Sequence, residues 1–263
     1  MKKLKNLFGS AYLALIFIFL YAPIVTLIVY SFNEGRGRKW QGFSTRWYEE
    51  LFHSAQIGDA VTNTLTIALL SALIATAIGL ISCIGLQALK GKAKNVYLAL
   101  NNIPLLNSDL VTGLSLMLAF IAVGLTFGYS TVLLAHISFN VPYVIMNVMP
   151  RLRQMNQSTY EAALDLGAKP VQAFFKVVMP ELMPGIISGF LMAFTMSLDD
   201  FIITHFTKGP GINTISTLIY SEIRRGIKPS MNALSTIMFI SAIILLILTN
   251  FSPKGAKTEV KDR

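Results

Sequence analysis

Charge is scarce in this sequence. Only 13% of the residues are Asp, Glu, Lys or Arg, against about 25% in ordinary soluble domains, and no long polar block separates the apolar runs. A soluble globular fold is excluded by that shortage. Cysteine is nearly absent: Cys83 alone, inside an apolar run, can form neither an internal disulfide nor a cysteine-based metal cluster and reads as a small core residue. His53, His136 and His205 lack metal-ligand spacing, and neither H-E-x-x-H nor a Ser/His/Asp set occurs, so a membrane enzyme lacks its nucleophile and its metal. His136 reads as a hydrogen-bonded residue of a span. No G-x-x-x-x-G-K-[ST] offers the backbone cradle and Lys that a nucleoside triphosphate needs. The chain has no evident internal repeat of the kind found in many secondary transporters, and no low-complexity tract. A net charge of +9 comes without a dense basic run, which argues against nucleic acid as a partner.

What is present is apolar: 54% of the chain is hydrophobic, and runs of membrane-spanning length recur from Ala11 to Phe251. The expected fold is all-α, one polytopic domain over residues 1–263. Six spans are predicted: Ala11 to Phe32, Ala60 to Leu89, Val96 to Leu125, Tyr129 to Met149, Pro184 to Phe206 and Met231 to Phe251. The second and third are over-long and are expected to tilt or project from the bilayer. The first resembles a signal peptide but is longer than a signal h-region and lacks a small-x-small cleavage site, so it reads as a retained span. With both termini in the cytoplasm, inner segments carry fourteen Lys and Arg, including Lys90, Lys254, Lys257, Lys261 and Arg263. Outer segments carry eight, among them Arg36, Arg38 and Lys228. The positive-inside rule favours that orientation.

The connection between spans four and five, about residues 151–183, is the informative one. Ser158 followed by Glu161 forms an S-x-x-E capping box, which predicts a short helix starting near Thr159. Gly167 offers a left-handed stop, and Pro170 suits the first turn of a second short helix that Pro180 ends. Val171, Phe174, Phe175 and Val178 recur at helical spacing and are expected to pack against the spans. The first helix is Ala-rich, with Glu161 and Asp165 on one face, a surface poor at burying itself and suited to a groove on another protein.

The stretch "EAALDLGAKPVQAFFKVVMP" resembles the cytoplasmic EAA loop of ABC-importer permease subunits. Glu161, Ala162, Ala163, Asp165 and Gly167 hold the matching positions, and Val177-x-Met179-Pro180 departs conservatively from the usual Ile-x-Leu-Pro ending. The resemblance implies the type I importer permease fold and a loop that couples the spans to separate ATPase subunits. ATP and Mg would then be bound by that partner, with no cofactor on this chain. "YAPIVTLIVYSFN", "WQGFSTRWY", "SLDDFIITHFTKGPG" and "NALSTI" extend the resemblance to the permeases of spermidine/putrescine importers. It further implies a second permease, favoured to be a different chain, two ATPase subunits and an extracytoplasmic polyamine-binding protein.

The carboxylates within the apolar runs fit a cation. An Asp near the centre of a span costs about 2.5–3.5 kcal/mol, so Asp199 and Asp200 should face a cavity or a partner rather than lipid. At about 1.5 Å per residue, Asp199 lies about 22 Å into the span counted from Pro184 and Asp109 about 20 Å past Val96, so the three converge in depth. A polyamine calls for spaced carboxylates with apolar or aromatic walls between them, and Ser197 adds a neutral acceptor. Adjacent helix positions point about 100° apart, so Asp199 and Asp200 cannot both face one ligand in a regular helix. The alternatives are that one caps a broken helix or bonds a partner subunit, and that Asp109 caps a kink. Trp47, which matches a position of the family, offers a cation-π face to an arriving amine or serves as an interfacial anchor or docking contact.

The expected function is therefore a permease subunit of an ATP-driven polyamine importer. The alternatives are a permease for another small solute and an ion-coupled secondary carrier in which Asp109, Asp199 and Asp200 bind the coupling ion. The EAA loop weighs against the carrier.

Overall fold

A chain this apolar has to satisfy its backbone polar groups internally, and helices do so segment by segment. A computed structural model describes residues 2–35, 39–89, 91–225 and 229–251. Arg36, Arg38, Lys90, Lys228, Lys254, Lys257, Lys261 and Arg263, which weigh in the orientation argument, lie outside the described residues. The helices are α1 (Lys2–Ser31), α2 (Arg46–His53), α3 (Ala55–Ala88), α4 (Gly91–Leu106), α5 (Asp109–Ala122), α6 (Tyr129–Gln154), α7 (Gln157–Asp165), α8 (Pro170–Ala173), α9 (Met179–Asp199), α10 (Ile202–Thr207), α11 (Ile215–Arg225) and α12 (Pro229–Phe251). Among the described residues, four segments are long and apolar enough to cross a membrane: Tyr12–Ser31, Ala55–Gln87, Tyr129–Gln154 and Pro170–Asp199. The bent pair α4 and α5 makes a fifth if counted as one span. Helix α12, 23 residues long, covers the last expected span.

Two expected spans are broken. The run from Val96 to Leu125 is not one tilted helix: α4 ends at Leu106, α5 starts at Asp109, and the two are bent by 110°. The cause lies in the break, where Ser108 is extended and its hydroxyl accepts the Val111 N–H at 3.4 Å, an N-cap that starts a new helix. The run from Pro184 to Phe206 is interrupted at Asp200 and Phe201, between α9 and α10.

The connection between α6 and α9 also differs in two details. Asn156, not Ser158, caps α7: its side chain accepts the Ser158 N–H at 3.1 Å and the Ser158 hydroxyl at 2.7 Å, so the helix starts ahead of Thr159. Pro180 does not end the second helix. A π-helical turn at Phe174–Val178 joins α8 to α9, with the Met179 N–H reaching Phe174 O five residues back. A regular α-turn would press the Pro180 ring onto the carbonyl of Lys176, and the wider turn removes that clash. Gly167 is left-handed as expected, with φ +86°. Its N–H donates to Leu164 O at 2.9 Å and the Ala168 N–H to Ala163 O at 3.1 Å, a Schellman stop.

The chain divides into two compact units. The unit holding residues 58–218 is built on α6 and α9, with α3 beside them. Its core is made of small residues that let helices approach closely: Val144 of α6 lies against Gly79 of α3 and Gly189 of α9, and a Cβ on Gly189 would stand 3.3 Å from the Val144 Cα. Ala72, Ala75, Cys83 and Ala193 are fully buried in the same cluster. In the other unit, up to residue 57 and from residue 219 on, α1 and α2 pack against α12. There the Ser31 hydroxyl and Tyr48 hydroxyl share a hydrogen bond of 2.7 Å, and the Phe32 ring stacks on Phe43 with centroids 5.3 Å apart.

Candidate functional site

Three helix ends meet at one place in the unit of residues 58–218. Asp109 opens α5, Asp199 closes α9, and Asp200 stands in the break before α10. Helix α10 lies directly on α5 at Gly113, where a Cβ would come within 3.3 Å of the Ile203 Cα. That close approach brings the carboxylates together. Asp109, Asp199 and Asp200 line one cavity of about 350 Å³, walled by Phe139, Met196, Phe201 and neighbouring isoleucines. Convergence thus comes from two broken helices and not from equal depth along two continuous ones.

The two adjacent aspartates have different surroundings. The Asp200 side chain is only 7% exposed. It accepts the Ile203 N–H at 3.2 Å, the Thr204 N–H at 2.7 Å and the Thr204 hydroxyl at 2.8 Å, so it caps α10. His136 Nε2 of α6 lies 3.4 Å from its Oδ2. Asp199 is exposed, and among the described residues neither it nor Asp109 has an ion-pair partner. Among the described residues no group of three or more His, Cys, Asp or Glu is placed to hold a metal ion. Two accessible carboxylates beside the aromatic rings of Phe139 and Phe201 can receive organic ammonium groups.

Ser197 is buried, bonded to His136 Nδ1 at 2.5 Å and 3.2 Å from the Ser71 hydroxyl, and does not line the cavity. Trp47 belongs to the other unit. It is 2% exposed, its indole N–H donates to Asn33 O at 2.6 Å, and the Arg46 guanidinium lies over its ring at 5.5 Å. The face expected to meet an amine carries a cation already.

Much of the positioning falls to His136, a hydrogen-bonded span residue as expected, and to residues the sequence reading passed over: Gly113, Thr204, Ser71, and Asn140, whose pairing with His136 was not foreseen. His136 and Asn140 stand four residues apart on one face of an apolar helix, and that spacing was the signal available. On the connecting loop, Glu161, Ala162, Asp165 and Gly167 are exposed and Ala163 is half-buried. Of the apolar residues expected to pack, Val178 is buried and Phe174 joins the core, but Val171 and Phe175 are exposed, as is Leu166 at 89%. Only half of that face is used within the chain.

Apolar spanning helices, a carboxylate-lined cavity between broken helices and a capped surface loop define a membrane-embedded transport subunit. The chain belongs to the family of binding-protein-dependent transport system inner membrane components, whose pattern matches residues 77–256. It is a multi-pass protein of the cell membrane, and the family is one of transport subunits, not enzymes. The putrescine transport system permease protein PotI of Escherichia coli K12 is 39% identical over 255 residues, covering 94% of this chain and 91% of that protein. The spermidine/putrescine transport system permease protein PotC of Haemophilus influenzae is 35% identical over 241 residues, covering 91% and 94%. Among solved structures, a bacterial ABC transporter involved in import of the acidic polysaccharide alginate matches with TM-score 0.72 at 18% identity, over 94% of each chain. The MetNI methionine ABC transporter matches with TM-score 0.58 at 19% identity, over 73% of this chain and 90% of that one. These confirm the ABC-importer permease fold, in a family named for binding-protein-dependent transport.

Proposed function

We propose that this chain is the permease subunit of an ATP-driven importer for polyamines such as spermidine and putrescine. The observation that carries the reading is the cavity lined by Asp109 and Asp199, two accessible carboxylates with Phe139 and Phe201 beside them. A polyamine is a chain of methylenes between protonated amines, and carboxylates set apart by aromatic walls are complementary to it. The fold alone does not choose the cargo, since an importer of an acidic polysaccharide shares it. The polyamine permeases at 39% and 35% identity support the same reading.

In this reading the chain has six spans with both termini in the cytoplasm. It pairs with a second, different permease, and the loop of α7 and α8 on each engages one of two ATPase subunits that hold ATP and Mg. An extracytoplasmic polyamine-binding protein delivers the substrate. The test is uptake of labelled spermidine and putrescine by the reconstituted complex, with Asp109→Asn and Asp199→Asn as variants. Full uptake in both would remove the cavity from the path. Uptake driven by an ion gradient without the ATPase would instead establish a secondary carrier.

A further inference from the structure

A chain of buried polar groups runs through His136. Asn140 Nδ2 donates to Ser71 Oγ at 3.4 Å, and Ser71 Oγ, with one proton to give, lies 3.2 Å from both Ser197 Oγ and Ala68 O. Ser197 Oγ is 2.5 Å from His136 Nδ1. The Thr204 hydroxyl proton goes to Asp200 Oδ2 at 2.8 Å, so His136 Nε2, 2.9 Å from that hydroxyl, is the donor toward Thr204 and carries a ring proton. The chain begins on α3 and α6, crosses α9 and ends on the carboxylate that starts α10. His136 is 1% exposed and Thr204 is fully buried, so neither group has water as a substitute partner.

The consequence concerns Asp199. It is the last residue of α9 because the helix stops there, and the helix stops because Asp200 is held by α10 and His136 instead of continuing the turn. We infer that His136 is a positioning residue: through Thr204 and Asp200 it fixes the break between α9 and α10 and thereby sets Asp199 at the cavity. Asp200 and Ser197 then belong to the support of the site and Asp199 to its lining. The inference rests on the cation reading of Asp199, but its geometric half can be measured without any substrate.

The experiment uses the full complex. Asp199→Cys in a Cys83→Ala background gives this chain a single thiol, and its rate of modification by a positively charged thiol reagent reports access to residue 199. Adding His136→Ala is expected to change that rate about fivefold or more, the factor that one lost buried hydrogen bond corresponds to. With Asp199 intact, His136→Ala should lower polyamine uptake comparably, and His136→Gln, which keeps a donor toward Thr204, should restore much of both. Thr204→Val keeps the shape and removes the hydroxyl, so it must move both readouts the same way even where His136→Ala fails to assemble. Unchanged modification and uptake in His136→Ala, or in Thr204→Val where His136→Ala does not assemble, would overturn the inference. If Asp199→Asn transports normally, the cation reading falls, and the modification rates still decide whether His136 sets the break.

Discussion

Gly113 of α5 and Ile203 of α10 meet backbone to backbone: a Cβ on Gly113 would stand 3.3 Å from the Ile203 Cα and 3.2 Å from Cδ2 of Phe206. The phenyl ring can give by a few tenths of an ångström, whereas the Cα moves only with α10 as a whole. Gly113→Ala is therefore expected to transport at a reduced rate. Gly113→Val should cost about 1–3 kcal/mol, the usual range for overpacking, and abolish most uptake by displacing Asp199 and Asp200 from Asp109. The measurement is the thermal midpoint of the assembled complex together with uptake per complex. A fully active valine variant would show that the approach of α5 and α10 does not hold the site.

The three aspartates should separate by phenotype. Asp109→Asn and Asp199→Asn remove charges that no other described residue pairs with, so both variants should assemble at wild-type levels and lose uptake. Asp200→Asn weakens a cap that accepts three hydrogen bonds, and a buried charge-assisted network of that kind is worth about 1.5–3 kcal/mol per bond lost. It should lose thermal stability before it loses affinity. Yield and midpoint measured beside uptake distinguish the groups, and a stable but inactive Asp200→Asn protein would place Asp200 among the substrate ligands.

Much of this was legible in the sequence, and the limits have physical reasons. The all-helical, multi-span character came through because a bilayer allows few backbone solutions, and the helix stop and restart at Gly167 and Pro170 came through because both are strong local punctuators. The breaks at Ser108 and Asp200 were harder, since a hydropathy run says nothing about which polar residue turns its side chain onto the backbone. The 100° separation did divide Asp199 from Asp200, and the structure gives the second the capping role left open for one of them. Ser71 carried no signal at all: its role depends on α3 lying beside α9, a contact between residues 126 apart in sequence.

Gly167 provides a test of the loop that is independent of the cavity. At φ +86° a Cβ is strained whatever the space around it, and among the described residues, chain neighbours aside, nothing lies within 4 Å of one built there. Gly167→Ala should thus cost about 1 kcal/mol through backbone strain alone and leave part of the coupling intact. Gly167→Pro removes the N–H that donates to Leu164 O and forbids the left-handed turn, so α7 and α8 lose their mutual angle. The expected result is ATP hydrolysis without transport, or loss of the ATPase from the purified complex. Full coupled transport by the proline variant would contradict the coupling role of the loop.

Trp47 separates packing from substrate contact. Its indole N–H is bonded to Asn33 O at 2.6 Å, its ring is 2% exposed, and Arg46 covers one face. Trp47→Ala should leave a cavity and lose the hydrogen bond to Asn33 O, destabilising by about 3–5 kcal/mol, and the complex should assemble poorly. Trp47→Leu refills most of the volume but has no π face. If Trp47 only packs, Trp47→Leu yields less complex, yet each assembled complex takes up polyamine at the parent rate across concentrations. A drop in uptake per assembled complex, overcome by more substrate, would instead return Trp47 to the path of the amine.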